Sequence, residues 1–273
     1  MLVHEVLLPQ FLEQNGMRKF DLGFDARVPF AFCIFSSAFS ECLDYDILIL
    51  KEPMAKPHSA AKATGVAMSK NALAHLRADL VMAKLIEQIG PIRHRPNRLP
   101  PFQSLVHAVI HQQLSGKAAG AILGRFLAIF GTSGFPEPKH VLRTPPETLR
   151  AAGLSGPKVA YILEIAQKTE EGLVPSLDEC VSLTDAEILE RLTAIKGVGR
   201  WTVEMFLIFN LSRPDVFPVH DLGVRRGFQI AHGKRKMPEP DQLARHCKRW
   251  APFRTAAALY LWRAADSPGD GGW

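Results

Sequence analysis

The stretch LTAIKGVGRWTVEMFLIFN, Leu192 to Asn210, sets two helix-like apolar patterns on either side of a four-residue break, Lys196-Gly197-Val198-Gly199. A helix ending near Ile195 or Lys196 and another starting near Gly199 leave room only for a tight turn. Gly197 and Gly199 can take backbone angles closed to other residues, and they keep side chains off the outer surface. The first N–H groups of the second helix then point outward without an intrahelical partner. Together with the helix dipole they make an anion site. A nucleic-acid backbone phosphate fits such a site, and a contact of this kind carries no base information. Lys196 and Arg200 flank the turn and would add salt-sensitive attraction. Glycine-x-glycine alone fits equally well a plain packing corner. The longer string, KGVGRWT between two apolar helices, favours the anion grip.

The surrounding chain is helical in pattern. Leu73, Leu76, Leu80 and Leu85 predict a first helix, ended by Gly90-Pro91. PFQSLVHAVIHQQLS follows, with Phe102, Leu105, Val106 and Val109 on one face, then GKAAGAILGRFLAIFG, which stops at Gly131. Thr144 with Glu147, and Thr184 with Glu187, have capping-box spacing, a hydroxyl cap with an acid three residues on. Ser155 can cap GPKVAYILEIAQK, and further helices are expected near residues 221–230, 239–249 and 253–265. Strand signals are nearly absent from residue 69 onward, so this part reads as all-α with short loops.

Residues 1–67 read differently. VPFAFCIFSSAFSECL has neither strand nor helix periodicity, and KEPMAKPHSAAKATGVAMSK resembles a linker. Three readings stay open: a small domain with strands around residues 28–50, an irregular extension, or an over-extended start with translation beginning at Met54 or Met68. The division is therefore 1–67 as an N-terminal extension of uncertain structure and 68–273 as the main domain. Charge divides the same way, with a net of −2 over residues 1–67 and +8 over residues 68–273. The basic part suits a polyanionic partner. Cys33, Cys42, Cys180 and Cys247 are scattered, which argues against a zinc or iron–sulfur site. No apolar run is long enough for a membrane span and no secretory signal opens the chain.

LTAIKGVGRWTVEMFLIF followed by RPDVFPVHDLGVRRG resembles the helix-hairpin-helix (HhH-GPD) DNA glycosylases, in particular the 3-methyladenine DNA glycosylase II family. PFQSLVHAVIHQQLSGKAA, GLSGPKVAYI and RWAPFRTAAALYLW also match, so the resemblance covers residues 69–265. Larger members carry a β-rich N-terminal domain that residues 1–67 do not match; the core resembles the compact members. The resemblance implies an all-α, two-lobed fold. It implies a monofunctional glycosylase that flips an alkylated base out of duplex DNA and hydrolyses its N-glycosidic bond.

Site residues follow from the same match. Asp221, read alone, is a helix cap; the resemblance makes it the catalytic carboxylate. Asp215 is expected to be structural, and His220 to be a local hydrogen bonder. Trp201 takes the position of the Schiff-base lysine of lyase relatives, so it cannot form that adduct. It would stack on the base instead, though a core role also fits. Trp262 matches a second pocket aromatic, with core packing a rival. Met205 lies on the same helix face as Trp201, where larger members place a tyrosine. Lys196, Gly197, Val198, Gly199 and Arg200 would grip DNA. Leu114, between Gln113 and Ser115, would wedge into the gap or else be a buried staple. Lys117 and Lys158 are further phosphate candidates. No organic cofactor is implied. Hairpin carbonyls could hold one metal ion, as in some relatives, but the residue types do not demand it. The implied setting is a monomer in a bacterial cytoplasm or nucleoid, neither secreted nor membrane-bound. The rival readings are a non-catalytic hairpin DNA-binding module and a glycosylase-lyase for oxidised bases.

Overall fold

The computed structural model describes residues 66–94, 96–131 and 134–266. The strands expected around residues 28–50, and Cys33 and Cys42, lie outside the described residues. The all-α expectation holds. The described strands are β1 (Val66–Ala67) and β2 (Arg93–His94), paired antiparallel with Val66 opposite His94. Two residues assigned by composition to the extension are thus tied by backbone to the helical domain.

The first expected helix is two. α1 (Lys70–Leu76) stops, and α2 (Leu80–Ile89) starts afresh, because the Asp79 side chain accepts from the amides of Val81 and Met82 at 2.9 and 3.4 Å. The chain continues through α3 (Pro101–His111), α4 (Gly116–Phe130), α5 (Pro138–Arg143), α6 (Pro146–Ala151), α7 (Gly156–Glu170), α8 (Leu177–Ser182) and α9 (Asp185–Thr193). Thr184 and Glu187 form the expected reciprocal capping box at α9. Thr144 and Glu147 do not form one. α6 begins at Pro146, which puts Pro145 in the cap position, and the Thr144 hydroxyl turns back to His140 O of α5. After the hairpin come α10 (Arg200–Met205), which widens into a π turn over Phe206–Asn210, then α11 (Leu222–Ala231), α12 (Pro240–His246), a 3-10 turn (Cys247–Trp250) and α13 (Arg254–Asp266).

The helices pack in two sets. α3 to α10 with the π turn form one lobe; α1, α2 and α11 to α13 form the other. The second lobe is built on α13, which is buried on nearly every side from Thr255 to Ala264. A helix of that kind belongs inside a lobe rather than on its surface. The glycines of α11 let it come close to α13. A Cβ on Gly227 would lie 1.8 Å from the main-chain oxygen of Leu261. The Asp215 carboxylate takes both Arg254 Nε (2.7 Å) and Nη2 (2.8 Å), and Thr255 Oγ1 donates to Arg213 O and accepts from Val216 N. Asp215 is structural, as expected. It fastens the segment after the π turn to the head of α13, so the chain enters α11 at a fixed point.

Candidate active site at the seam between the lobes

Asp221 is the N-cap of α11 and is 5% exposed. Its Oδ1 accepts from the Val224 amide at 2.8 Å and from the Trp262 indole N–H at 2.7 Å; its Oδ2 accepts from the Trp201 indole N–H at 2.7 Å. Three donors converge on it, the complement of an ionised carboxylate, which can only accept. The donors come from three helices and both lobes, since Trp201 stands on α10, Val224 on α11 and Trp262 on α13. The carboxylate therefore sits where the lobes meet, with its orientation fixed from three directions.

The two tryptophans differ. Trp201 is half-buried. Trp262 is 1% exposed and tilts against Phe209 with ring centroids 5.6 Å apart. Of the two readings left open for Trp262, pocket aromatic and core packing, this burial fits the second. The Trp262 indole N–H orients Asp221, and Gly223 makes this approach possible. A Cβ there would lie 2.7 Å from Trp262 Cδ1 and 3.2 Å from Asp221 Oδ1. Replacing Trp262 by Phe keeps the ring and deletes the donor. Excision should slow about tenfold, the worth of one hydrogen bond to a charged group, with duplex affinity unchanged in a titration.

Trp201, Met205 and Phe209 are the half-buried positions of α10 and the π turn between Trp201 and Asn210. Spaced by four, they form one stripe. Met205 therefore does lie beside Trp201. Phe209 extends the stripe and was missed, although its spacing was there to be read. His220 is exposed next to Asp221.

At the hairpin, Gly197 has φ +90°, and a Cβ on it would lie 2.2 Å from Tyr161 Cγ. Both the backbone angle and the Tyr161 ring demand glycine. Gly199 does not need such freedom. Its φ of −87° is open to any residue and a Cβ there would meet nothing within 4 Å. Its bareness serves only what approaches from outside. Gly199→Ala should leave Tm unchanged and still weaken duplex binding, a split that a melt and a binding titration would reveal. Val198 turns inward, its side chain buried and its amide donating to Ile195 O at 3.1 Å. Of the five hairpin residues expected to grip DNA, Val198 therefore anchors the turn, while Lys196, Gly199 and Arg200 are exposed and Gly197 is partly so.

The loop after α3 lies against the same hairpin, with Gln112 Nε2 donating to Gly197 O at 3.3 Å. Gln113 is exposed in the left-handed region at φ +58°. Leu114 is half-buried and leans on the core, and Ser115 caps α4 through Ala118 N at 3.4 Å. Gln113 is the more exposed of the two. Lys158 is no free phosphate ligand. Its ammonium caps the end of α3, donating to Ile110 O (2.7 Å) and Gln112 O (2.8 Å). Lys117 is exposed. Among the described residues no group of three His, Cys, Asp or Glu side chains could hold a metal ion. An ion at the hairpin would rest on main-chain carbonyls; Gly197 O accepts from Gln112 and keeps a second lone pair.

The hairpin, Trp201 and Asp221 lie within a stretch that matches a known family. The profile of HhH-GPD superfamily base excision DNA repair proteins matches residues 106–253. The chain belongs to this superfamily. The matched region runs from α3 to the start of α13 and so carries the hairpin, Trp201 and Asp221. Over 186 residues the chain is 43% identical to DNA-3-methyladenine glycosylase 1 of Schizosaccharomyces pombe, covering 67% of this chain and 81% of that one. The solved 3-methyladenine DNA glycosylase of the same yeast, in complex with abasic DNA, superposes with a TM-score of 0.65 at 42% identity over 71% of this chain and 96% of that one. A DNA-3-methyladenine glycosidase from Bacillus halodurans gives 0.67 at 38% identity over 73% and 91%. The HhH-GPD fold thus accounts for the two-lobed arrangement.

Proposed function

We propose that this chain is a monofunctional DNA glycosylase of base excision repair, hydrolysing the N-glycosidic bond of alkylated bases of the 3-methyladenine type in duplex DNA. The observation that carries the reading is the Asp221 carboxylate, held by Val224, Trp262 and the half-buried Trp201. The relatives' names support the substrate class. A relative solved with abasic DNA supports the product, because an abasic site is what base removal leaves.

The chemistry follows from the residues. The hairpin and Arg200 hold the backbone; the target nucleotide turns out of the stack, and Leu114, with the exposed Gln113 beside it, enters the gap. The flipped base lies on Trp201 and the apolar stripe of Met205 and Phe209. An alkylpurine such as 3-methyladenine is cationic, so stacking and cation–π attraction favour it over an undamaged base by ~1–2 kcal/mol. As the C–N bond breaks, positive charge develops on the sugar. Asp221 stabilises that charge and directs water to the anomeric carbon. A cationic base leaves as a neutral one, so no strong acid is needed. Trp201 stands where a lyase would need a lysine, and an indole cannot form a Schiff base. The product is an abasic site in an uncut strand. The enzyme works as a monomer in the cytoplasm or nucleoid, with no organic cofactor.

The test is release of free base from duplexes carrying 3-methyladenine, 7-methylguanine, ethenoadenine or hypoxanthine, with the full chain and with residues 1–67 removed. Release of the cationic bases first supports the reading. No release from any of the four contradicts it.

A further inference from the structure

Glu204 lies on α10, three residues after Trp201, and is 4% exposed. Among the described residues, it and Asp221 are the buried acids. Its Oε1 accepts from Arg200 Nε at 2.9 Å, while its Oε2 is buried with no hydrogen-bond partner. Arg200 is the opposite kind of residue. It directly follows Gly199, opens α10, and its side chain is 62% exposed.

As a stabilising ion pair this arrangement is poor. The acid gives up its hydration, one of its oxygens goes unsatisfied, and water screens its partner. Burial pushes the Glu204 carboxyl above its ordinary value; the Arg200 bond and charge oppose this, and the charge of Asp221 adds to it. Arg200 and Asp221 are the charged groups that bear on it.

What the pair supplies is geometry. A guanidinium is a rigid plane of five donors. With Nε fixed on Glu204, the edge formed by the two Nη groups stays free, at the exposed mouth of the hairpin. That edge matches two phosphate oxygens. We propose that Glu204 is a positioning residue: it holds Arg200 so that the free Nη edge meets a DNA backbone phosphate beside the hairpin. The inference rests on the DNA-gripping role given to the hairpin above.

Glu204→Met decides it, because the two readings move stability and binding differently. The probe is a duplex with one tetrahydrofuran abasic analogue, titrated over a range of salt. Positioning predicts a Tm equal to wild type or higher. It predicts affinity weaker by roughly tenfold and a salt slope shallower by up to ~0.9, the share of one phosphate. Arg200→Met should do the same, and the double variant should bind no worse than Arg200→Met alone. Glu204→Gln, whose amide oxygen still accepts from Nε, should recover most of the affinity. The proposal is overturned if Glu204→Met lowers Tm and affinity together at an unchanged salt slope, if its effect adds to that of Arg200→Met, or if affinity does not change. A wild-type chain that bound the duplex without salt dependence would instead remove the hairpin reading, and this proposal with it.

Discussion

Asp221→Asn will cut excision by ~10³-fold or more, the scale lost when a preorganised charge and a general base go together. The substitution is nearly isosteric, so shape is not the reason. Asparagine removes the negative charge facing the sugar. It also puts an NH₂ among three N–H donors, those of Trp201, Trp262 and Val224. A donor facing donors leaves a buried group unsatisfied at about 1–3 kcal/mol, so Tm should fall modestly too. Binding to an abasic-analogue duplex should survive, because the hairpin and Arg200 are untouched. Single-turnover excision beside a binding titration reads both halves. Loss of binding alongside excision would mean that Asp221 holds the lobes together rather than acting on the sugar. Unchanged excision would mean the chemistry lies elsewhere.

Gly227→Ala will have the largest effect on stability. Its Cβ would fall 1.8 Å from Leu261 O and 2.5 Å from Leu261 C. Main chain cannot swing aside as a side chain can, so α11 and α13 must separate by more than an ångström. Overpacking of this severity belongs at the upper end of ~1–3 kcal/mol, or about 6–12 °C in Tm for a domain of this size. Activity should fall further than the melt implies, because the α11–α13 contact also sets Trp262 against Asp221. The control is Gly124→Ala within α4, where a Cβ would meet nothing within 4 Å. There a helix-interior glycine is being replaced, and a gain of about 0.5–1 kcal/mol is expected. Thermal melts of both variants, with excision measured below the transition, would check this. A Gly227→Ala chain as stable as wild type would mean that the two helices do not meet there.

The helices were legible because their signals are local. Apolar spacing, the Thr184–Glu187 box and the Gly90 and Gly131 stops need no tertiary knowledge. The split of the first helix was visible in principle, since Asp79 precedes an apolar run with cap spacing. Asp221 and Trp201 were found through the motif around them. Less legible was what one helix does to another. Trp262 read as either pocket aromatic or core, because an aromatic in an apolar helix carries no mark of which neighbour its N–H will meet. Gly223 and Gly227, four apart on α11, carry no mark of what comes close to them, which is Trp262 and the Leu261 main chain of α13. Gly199 read as conformational because glycine pairs usually are, whereas its backbone angle is ordinary. Nothing local singles out Glu204, an acid four residues after Arg200. Its burial depends on packing around α10 that no local pattern records.

Incubating the 273-residue chain with a duplex bearing a single 7-methylguanine, followed by borohydride, separates hydrolysis from lyase chemistry and from binding alone. A monofunctional glycosylase releases free 7-methylguanine, leaves an uncut strand that breaks only when heated in alkali, and attaches no protein covalently to DNA. A trapped protein–DNA adduct with a nicked strand, or tight binding with no base released, would contradict that function.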